Sequence, residues 1–457
     1  MISAAPLSQI AYTVLDVKKH RRWYQDVFDL VPARQTNLFF GPLTTRVQGI
    51  PRVAERCWWL VDSEDFFQLE LFQFWSPRSK PQDPERRMCD LGYNMVGLHV
   101  VDFNGVLERL SRVGAHSLTG PAGPEGQRRV CLRDPEGVFL EIMEADPLSG
   151  KALPKVRPDI PTTIRSITLS VPDLAPARKT FMETFLLPEA EGEPLHKPDH
   201  ERLWGLEGAQ RRSLVLDAGR VLIELVEYIE PKGKPKPPDY RICDQGLMNI
   251  AFGAQNRTHF AALFKRAVAG GCQPNGKPLE VGVMKVMYLN DAQNSSIELL
   301  YVEPLAYGLL GFRPALQYMT AETFISAPAT VVWSHLTNHD QFGTWLPFQG
   351  NVLRPGRSEP NGAGSLRRLS GLGLNLEEEI LSWQPPKWYS YRLIKGAPLK
   401  DHFGHVQLRQ EGDLTKVTWT IRFAPRIPGT GFINRVFLKG LFTAALHKLK
   451  QKIEAKA

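Results

Sequence analysis

A chain of 457 residues is several times the usual domain length, and 43% hydrophobic with 23% charged residues supplies the material for more than one packed core. The net charge of +8 is dispersed outside the last helix, which argues against nucleic acid as a partner; no run approaches the ~18–20 apolar residues of a membrane span and no basic segment precedes an apolar one at the start, so a cytoplasmic protein without a membrane partner is expected. Five scattered cysteines without a Cys-x-x-Cys pair fit packed, reduced thiols better than disulfides or a zinc site.

In chain order, "IAYTVLDVKKHRRWYQDVFDL" from Ile10 reads as a strand ending in Val-x-Asp, then a helix with aromatic residues at helical spacing. "FQLELFQF" (67–74) is a strand with one glutamate among apolar residues. "RRMCDLGYNM" ends at Met95 and opens "VGLHVVDF", a second copy of the Val-x-Asp strand; "LRDPEGVFLEIMEADP" closes that unit with a turn and another single-glutamate strand. The series then repeats. "ITLSVPDLAPARKTFMETFLL" from Ile167, "LIELVEYI" (222–229), "DYRICDQGLMN" to Asn249 and "LNDAQNSSIELLYVEP" follow in the same order, and Arg241 stands 154 positions after Arg87 (241 − 87). The first 305 residues are therefore a duplication, and each half holds two copies of a strand–helix–strand–strand–strand unit.

These residues resemble the vicinal oxygen chelate superfamily, the glyoxalase, bleomycin-resistance and dioxygenase type. The resemblance implies an α+β fold of four βαβββ modules forming two half-barrel pairs, one over 1–150 and one over 160–305. It also implies that four inward side chains meet in each cup, from the start of each module's first strand and from its last strand. Counted that way, the first half presents Gln9, Glu70, Met95 and Glu141, and the second Ser166, Glu224, Asn249 and Glu298. Glyoxalases carry Gln or His, Glu, His, Glu there. Met95 replaces the histidine of the first set, and Ser166 and Asn249 stand at the two histidine positions that iron-dependent relatives need, so iron chemistry is not expected. No cofactor is the first expectation; a divalent metal on Gln9, Glu70 and Glu141 is the alternative.

Two carboxyls converging without a metal cannot both ionise cheaply, which points to Glu70 and Glu141 as an acid–base pair with Gln9 orienting the substrate. The inner strand faces carry mostly small residues, leaving room for a ligand that Met95, Ser166, Glu224, Asn249 and Glu298 would also touch. His99 is the one other titratable side chain on those faces and the third catalytic candidate. Two polar stretches, "QRRVCLRD" (127–134) and "LHKPDHERLW" (195–204), are placed near the cavity mouths by analogy with the family.

After a Gly- and Pro-bearing linker near Arg313 the pattern changes. A strand, a helix opened near Ala327-Pro328, a run of hairpin strands and an amphipathic helix from about Gly431 resemble the helix-grip fold of the START and polyketide-cyclase (SRPBCC) family, over 316–457. In that last helix Arg435, Lys439, Thr443, His447 and Lys450 form a basic face opposite Leu438, Leu441, Phe442, Ala445, Leu449 and Ile453. His402 and His405 lie on one strand and point to opposite faces, so only one can see a cavity. The whole reads as a small-molecule enzyme, an acid–base isomerase, cyclase or lyase on a hydrophobic oxygenated substrate. A metal-dependent glyoxalase-like lyase and a non-catalytic binding or resistance protein are the alternatives, and the oligomeric state is open.

Overall fold

A computed structural model of the protein describes residues 3–33, 37–151, 157, 159–357 and 359–455. The chain divides into two compact units, residues 1–314 and 315–457. Unit 1 holds four modules. The first contains β1 (Leu7–Thr13), α1 (Val17–Phe28), β2 (Val31–Pro32), β3 (Asn37–Phe40), α2 (Pro42–Gln48), β4 (Ala54–Val61) and β5 (Gln68–Ser76); the second contains β6 (Gly92–Val100), α3 (Phe103–Arg112), β7 (Arg129–Arg133) and β8 (Phe139–Met143). The third contains β9 (Thr162–Ser170), α4 (Leu174–Arg178), β10 (Gln210–Asp217) and β11 (Leu222–Glu230). The fourth contains β12 (Gly246–Gly253), α5 (Arg257–Ala269), β13 (Gln273–Pro274), β14 (Leu279–Val281), β15 (Met284–Asn290) and β16 (Ser296–Val302).

The Val-x-Asp signature has a local cause. The side chains of Asp16, Asp102, Asp173 and Asn256 each accept a hydrogen bond from backbone N–H groups of the first helical turn, satisfying donors that a helix start leaves open.

The sheets do not close within each half. β1 pairs antiparallel with β12, so modules 1 and 4 share one sheet; β6 pairs antiparallel with β9, so modules 2 and 3 share the other. The two expected cups, one within 1–150 and one within 160–305, are therefore replaced by cups that each draw on both halves. The Pro- and Lys-bearing segments 77–91 and 231–245 each cross from one sheet to the other.

The doubled Arg-x-Cys-Asp-x-Gly motif locks those crossings. Asp90 accepts from the N–H of Arg87 and from the N–H of Lys234 in the other crossing; Asp244 accepts from the N–H of Arg241 and from that of Lys80. The backbone returns the contact, Leu91 N–H to Lys234 O and Gln245 N–H to Lys80 O. Gly92 and Gly246 end the motifs at φ +119° and +124°, a conformation that only glycine takes at low cost. The motif is written twice because each copy holds the opposite crossing segment.

Unit 2 is an antiparallel seven-stranded sheet of β17 (Gln317–Ile325), β18 (Gln349–Arg354), β19 (Leu366–Gly371), β20 (Leu374–Gln384), β21 (Trp388–Lys395), β22 (Leu399–Glu411) and β23 (Leu414–Pro425), ordered β17-β23-β22-β21-β20-β19-β18. α6 (Ala329–Thr337) follows β17 and α7 (Gly431–Glu454) closes the domain, the helix-grip arrangement. The second half of α7 buries Ala445, Leu446, Leu449 and Ile453 as its amphipathic pattern implies. Its first half departs from that pattern: Phe432, Ile433, Val436 and Phe437 are exposed, and Leu438, Leu441 and Phe442 border a cavity instead of a filled core.

Candidate functional site

In the cup made by modules 1 and 4, the strand register sets two matching rows. Glu70 on β5 lies across Ala11 of β1 from Asn249 of β12, and Glu298 on β16 lies across Ala251 of β12 from Gln9 of β1. The alanines between them leave the floor open, as the small inner residues of these strands suggest. A cavity of about 660 Å³ including its mouth stands over this floor, walled by Phe39, Val47, Phe72, Val286, Leu300 and Phe312. Its polar floor holds Gln9, Glu70 and Glu298 and adds Glu55 and Trp59 from β4, Gln48 from α2 and Tyr288 from β15.

Burial in this apolar surrounding pushes the Glu70 carboxyl up to about 7, tempered by the Trp59 Nε1–H, which donates to Glu70 Oε1 at 2.5 Å. Glu298 is raised well above the ordinary carboxylate range, first by burial and next by the negative charge of Glu70. Tyr288 and Asn249 stand beside it and hold it down somewhat, yet without aligned bonds: both Asn249 amide atoms and Glu298 Oε2 are buried with no hydrogen-bond partner. Glu55, pushed up to about 8 by burial, accepts from Gln48 Nε2 at 2.6 Å. Gln9 Nε2 donates to Gln68 Oε1 at 2.8 Å and leaves Gln9 Oε1 unpartnered. Burial thus favours the protonated forms of Glu55, Glu70 and Glu298, and Gln9 Oε1 and Glu298 Oε2 are left without partners at the cavity floor. Trp59→Phe should remove the one hydrogen bond that favours the charged Glu70; its titration, followed in a pH–rate profile, is expected to move to higher pH than in the parent protein.

The cup of modules 2 and 3 has the same rows and a different content. Glu141 lies across Gly97 from Ser166, and Glu224 across Thr168 from Met95. Between the two glutamates sits His196, brought in by the polar 195–204 stretch: its Nε2 is 2.9 Å from Glu141 Oε2 and its Nδ1 2.6 Å from Glu224 Oε2. Arg129 Nη1 donates to Glu141 Oε1 at 2.9 Å, and Arg211 lies 3.5 Å from Glu224 Oε1 and pairs with Glu201. Although burial opposes every charge here, His196 and Arg129 bring Glu141 down to about 2, His196 also lowers Glu224, and the two glutamates raise His196 to about 9. An imidazolium thus bridges the paired carboxylates at the centre of the cup. Met95 packs among Met88, Cys89, Phe139 and Trp204. A groove past Arg129, Leu195 and Leu222 reaches neither glutamate nor His196.

Several sequence expectations are corrected by this geometry. Glu70 and Glu141 belong to different sheets, so they cannot form one acid–base pair, and Gln9, Glu70 and Glu141 cannot hold one metal ion; the cross-pairing of β1 with β12 separates them. Glu70 shares the cavity of modules 1 and 4 with Gln9 and Glu298. Met95, Ser166 and Glu224 lie in the filled cup, not beside the open cavity. His99 stands apart from both, its Nδ1 3.8 Å from Asp146, which Arg165 holds at 2.8 Å. Glu55, Trp59, Tyr288 and His196 were not singled out by the sequence reading. "AERCWWLV" carried a signal for two of them, a glutamate and an indole on alternate positions of one face.

Among the described residues no three or more His, Cys, Asp or Glu gather in a geometry that would hold a metal ion, and no helix is long and apolar enough to cross a membrane. Residues 7–142 match the family model described as the Glyoxalase/Bleomycin resistance protein/Dioxygenase superfamily, and residues 317–454 match that described as Polyketide cyclase / dehydrase and lipid transport. Among solved structures, glyoxalase I from Zea mays is 14% identical, covering 65% of this chain and 92% of its own, with a TM-score of 0.42. A START superfamily protein from Mycobacterium smegmatis is 12% identical, covering 31% of this chain and 99% of its own, with a TM-score of 0.28. No curated protein matches the chain.

Proposed function

From a chain that joins a domain of the glyoxalase, bleomycin-resistance and dioxygenase superfamily to one of the polyketide cyclase and lipid-transport family, we propose an enzyme that moves protons on a hydrophobic, oxygen-bearing small molecule in the cup of modules 1 and 4. The reaction class is isomerisation, cyclisation or elimination. The observation that carries this reading is the placement of Glu70 and Glu298 on the floor of one largely apolar cavity, where burial raises both carboxyls and the Glu70 charge raises Glu298 further. Ionised Glu70, oriented by Trp59, takes a proton from the carbon beside a substrate carbonyl. Protonated Glu298 returns a proton at the second position.

A second reading has its own support. Gln9 Oε1, Asn249 Oδ1 and Glu298 Oε2 are buried without partners and, with Glu70, form an all-oxygen set suited to a hard divalent ion such as Mg²⁺ or Mn²⁺. Bound there, such an ion would polarise a substrate oxygen. The cup of modules 2 and 3 does not fit a metal, because His196 already supplies the positive charge between its glutamates.

The test is exchange of the carbon-bound proton of aromatic 2-hydroxyketones in D₂O, followed by NMR with full-length protein before and after chelator treatment. Equal exchange in both preparations is expected. Loss restored by Mg²⁺ or Mn²⁺ would favour the metal-dependent lyase. Absence of exchange across the panel, with an unaltered small molecule co-purifying, would favour a binding protein.

A further inference from the structure

The proton transfer proposed for the cup of modules 1 and 4 employs Glu70 and Glu298 and leaves Glu55 without a role. All three carboxyls line the cavity, and among its described lining residues there is no lysine, arginine or histidine. In a chain of net charge +8 this is a local reversal that no protein cation offsets.

Glu55 stands four residues before Trp59 on β4, so both face the cavity. It is 1% exposed; Gln48 Nε2 donates to its Oε1 at 2.6 Å, and its Oε2 is buried without a partner. Gln48, 5% exposed on α2, keeps its own Oε1 unpartnered, as do Gln9 Oε1 and Glu298 Oε2 farther along the cavity. Every one of these unspent atoms is an oxygen, and an amide oxygen has no proton of its own to give. Such a lining asks for a ligand that brings donors. The wall around it is aromatic: the Phe39 ring meets Trp59 edge-on at 6.3 Å, and Phe72 and Phe312 extend the same surface, which suits an organic cation.

We propose that the substrate of this cup carries a protonated amine, which Glu55 Oε2 and Gln48 Oε1 hold while the aromatic wall takes the apolar body. The inference rests on the reading of this cavity as the substrate site and adds the charge class of the substrate to it. A carboxylate-bearing ligand would add a further negative charge, and a neutral one lacking N–H groups would leave the amide oxygens unpaired. One metal ion does not serve all three glutamates, because among the described residues no three such groups gather to hold one. Burial pushes Glu55 up to about 8, so an ammonium ion arriving beside it favours the carboxylate and expels a proton. The titratable groups around Glu55 are Glu70, Glu298, Tyr288, Cys57 and Cys243, and burial holds the tyrosine and both thiols neutral.

The test compares 2-phenylethylamine, 2-phenylethanol and 3-phenylpropionate on the full-length protein near neutral pH, with chelator present. Trp59 in the wall reports binding by fluorescence, and calorimetry in buffers of different ionisation enthalpy counts protons. The amine should bind at least about tenfold tighter than either of the others and release about one proton, the alcohol none. Glu55→Gln should weaken the amine about tenfold or more, abolish the proton release and leave the alcohol within about twofold, which also reports an intact cavity. Gln48→Met, which keeps the carboxyl, should weaken the amine about three- to tenfold. Should Glu55→Gln lose both ligands, Gln48→Met decides, and full amine affinity there would overturn the proposal. An amine no tighter than the alcohol, the carboxylate binding tightest, or a preference that survives Glu55→Gln would do the same. Proton exchange on neutral hydroxyketones without amine preference would remove this inference and keep the proton-transfer reading; amine preference without exchange would do the reverse.

Discussion

Glu70→Gln should lower turnover by roughly 10²–10⁴-fold and change substrate affinity by no more than a few-fold, since a positioned general base contributes about that much. The substitution is close to isosteric, and its carbonyl oxygen can still accept the Trp59 Nε1–H that now reaches Glu70 Oε1. What disappears is the proton-accepting site. Glu298→Gln should act differently: it removes the proton donor, so the rate should fall while Glu70, raised by its own burial, still titrates near pH 7. Because Glu70 carries a pKa raised to about 7 against an ordinary value near 4.5, it binds more protons folded than unfolded; its contribution should make the protein less stable as pH rises from about 4.5 to 7, and Glu70→Gln should remove that slope. A binding protein would show the stability effect and no loss of turnover, because it has none to lose.

His196→Ala should be the most damaging single change in unit 1 outside its apolar core, costing about 3–5 kcal/mol, because it leaves Glu141 and Glu224 buried without the cation between them. Native-state hydrogen exchange of the β8 and β11 amides reads this locally. The pH dependence has a definite sign. His196, raised to about 9, contributes stability fully present below about 6.5 and lost as pH rises through 9; Glu141, lowered to about 2, contributes stability fully present above about 4.5 and lost as pH falls through 2. Protection of β8 should therefore be strongest between about pH 4.5 and 6.5 and decline toward pH 9, and the decline should be absent in His196→Ala. Replacing the triad by His196→Leu with Glu141→Gln and Glu224→Gln should recover part of the loss, since both buried carboxylates are then gone; Arg211 keeps Glu201, while Arg129 loses its carboxylate partner.

The module boundaries were legible because their signals are local. An N-cap aspartate, a glycine at positive φ and single glutamates in apolar strands each leave a mark within a few residues. Of the positions that the family resemblance implied, Gln9, Glu70 and Glu298 line the cavity of modules 1 and 4, because the two-residue period fixes the face. It cannot name the partner strand. Whether β1 meets β6 or β12 depends on where the crossing segments lead, and that is decided by contacts such as Asp90 with Lys234, which are 144 residues apart (234 − 90). The same limit hid His196, whose loop carries no periodicity that would send it into a cup. In α7 the reading found the buried face of the second half and overlooked Phe432, Ile433, Val436 and Phe437, which break the two-faced pattern in the first.

The central claim is that Glu70 and Glu298, on the floor of the cavity of modules 1 and 4, both titrate well above the ordinary carboxylate range. A ¹³C-NMR titration of glutamate side-chain carboxyls in the full-length protein, with Glu70→Gln and Glu298→Gln as assignments, tests it without knowledge of the substrate. The expected result is a pair of carboxyl signals displaced well above the ordinary carboxylate range, one of them titrating near pH 7, with that one lost in Glu70→Gln and the other lost in Glu298→Gln. Glutamate signals that all titrate below about pH 5, or that respond to chelator instead of to pH, would contradict it.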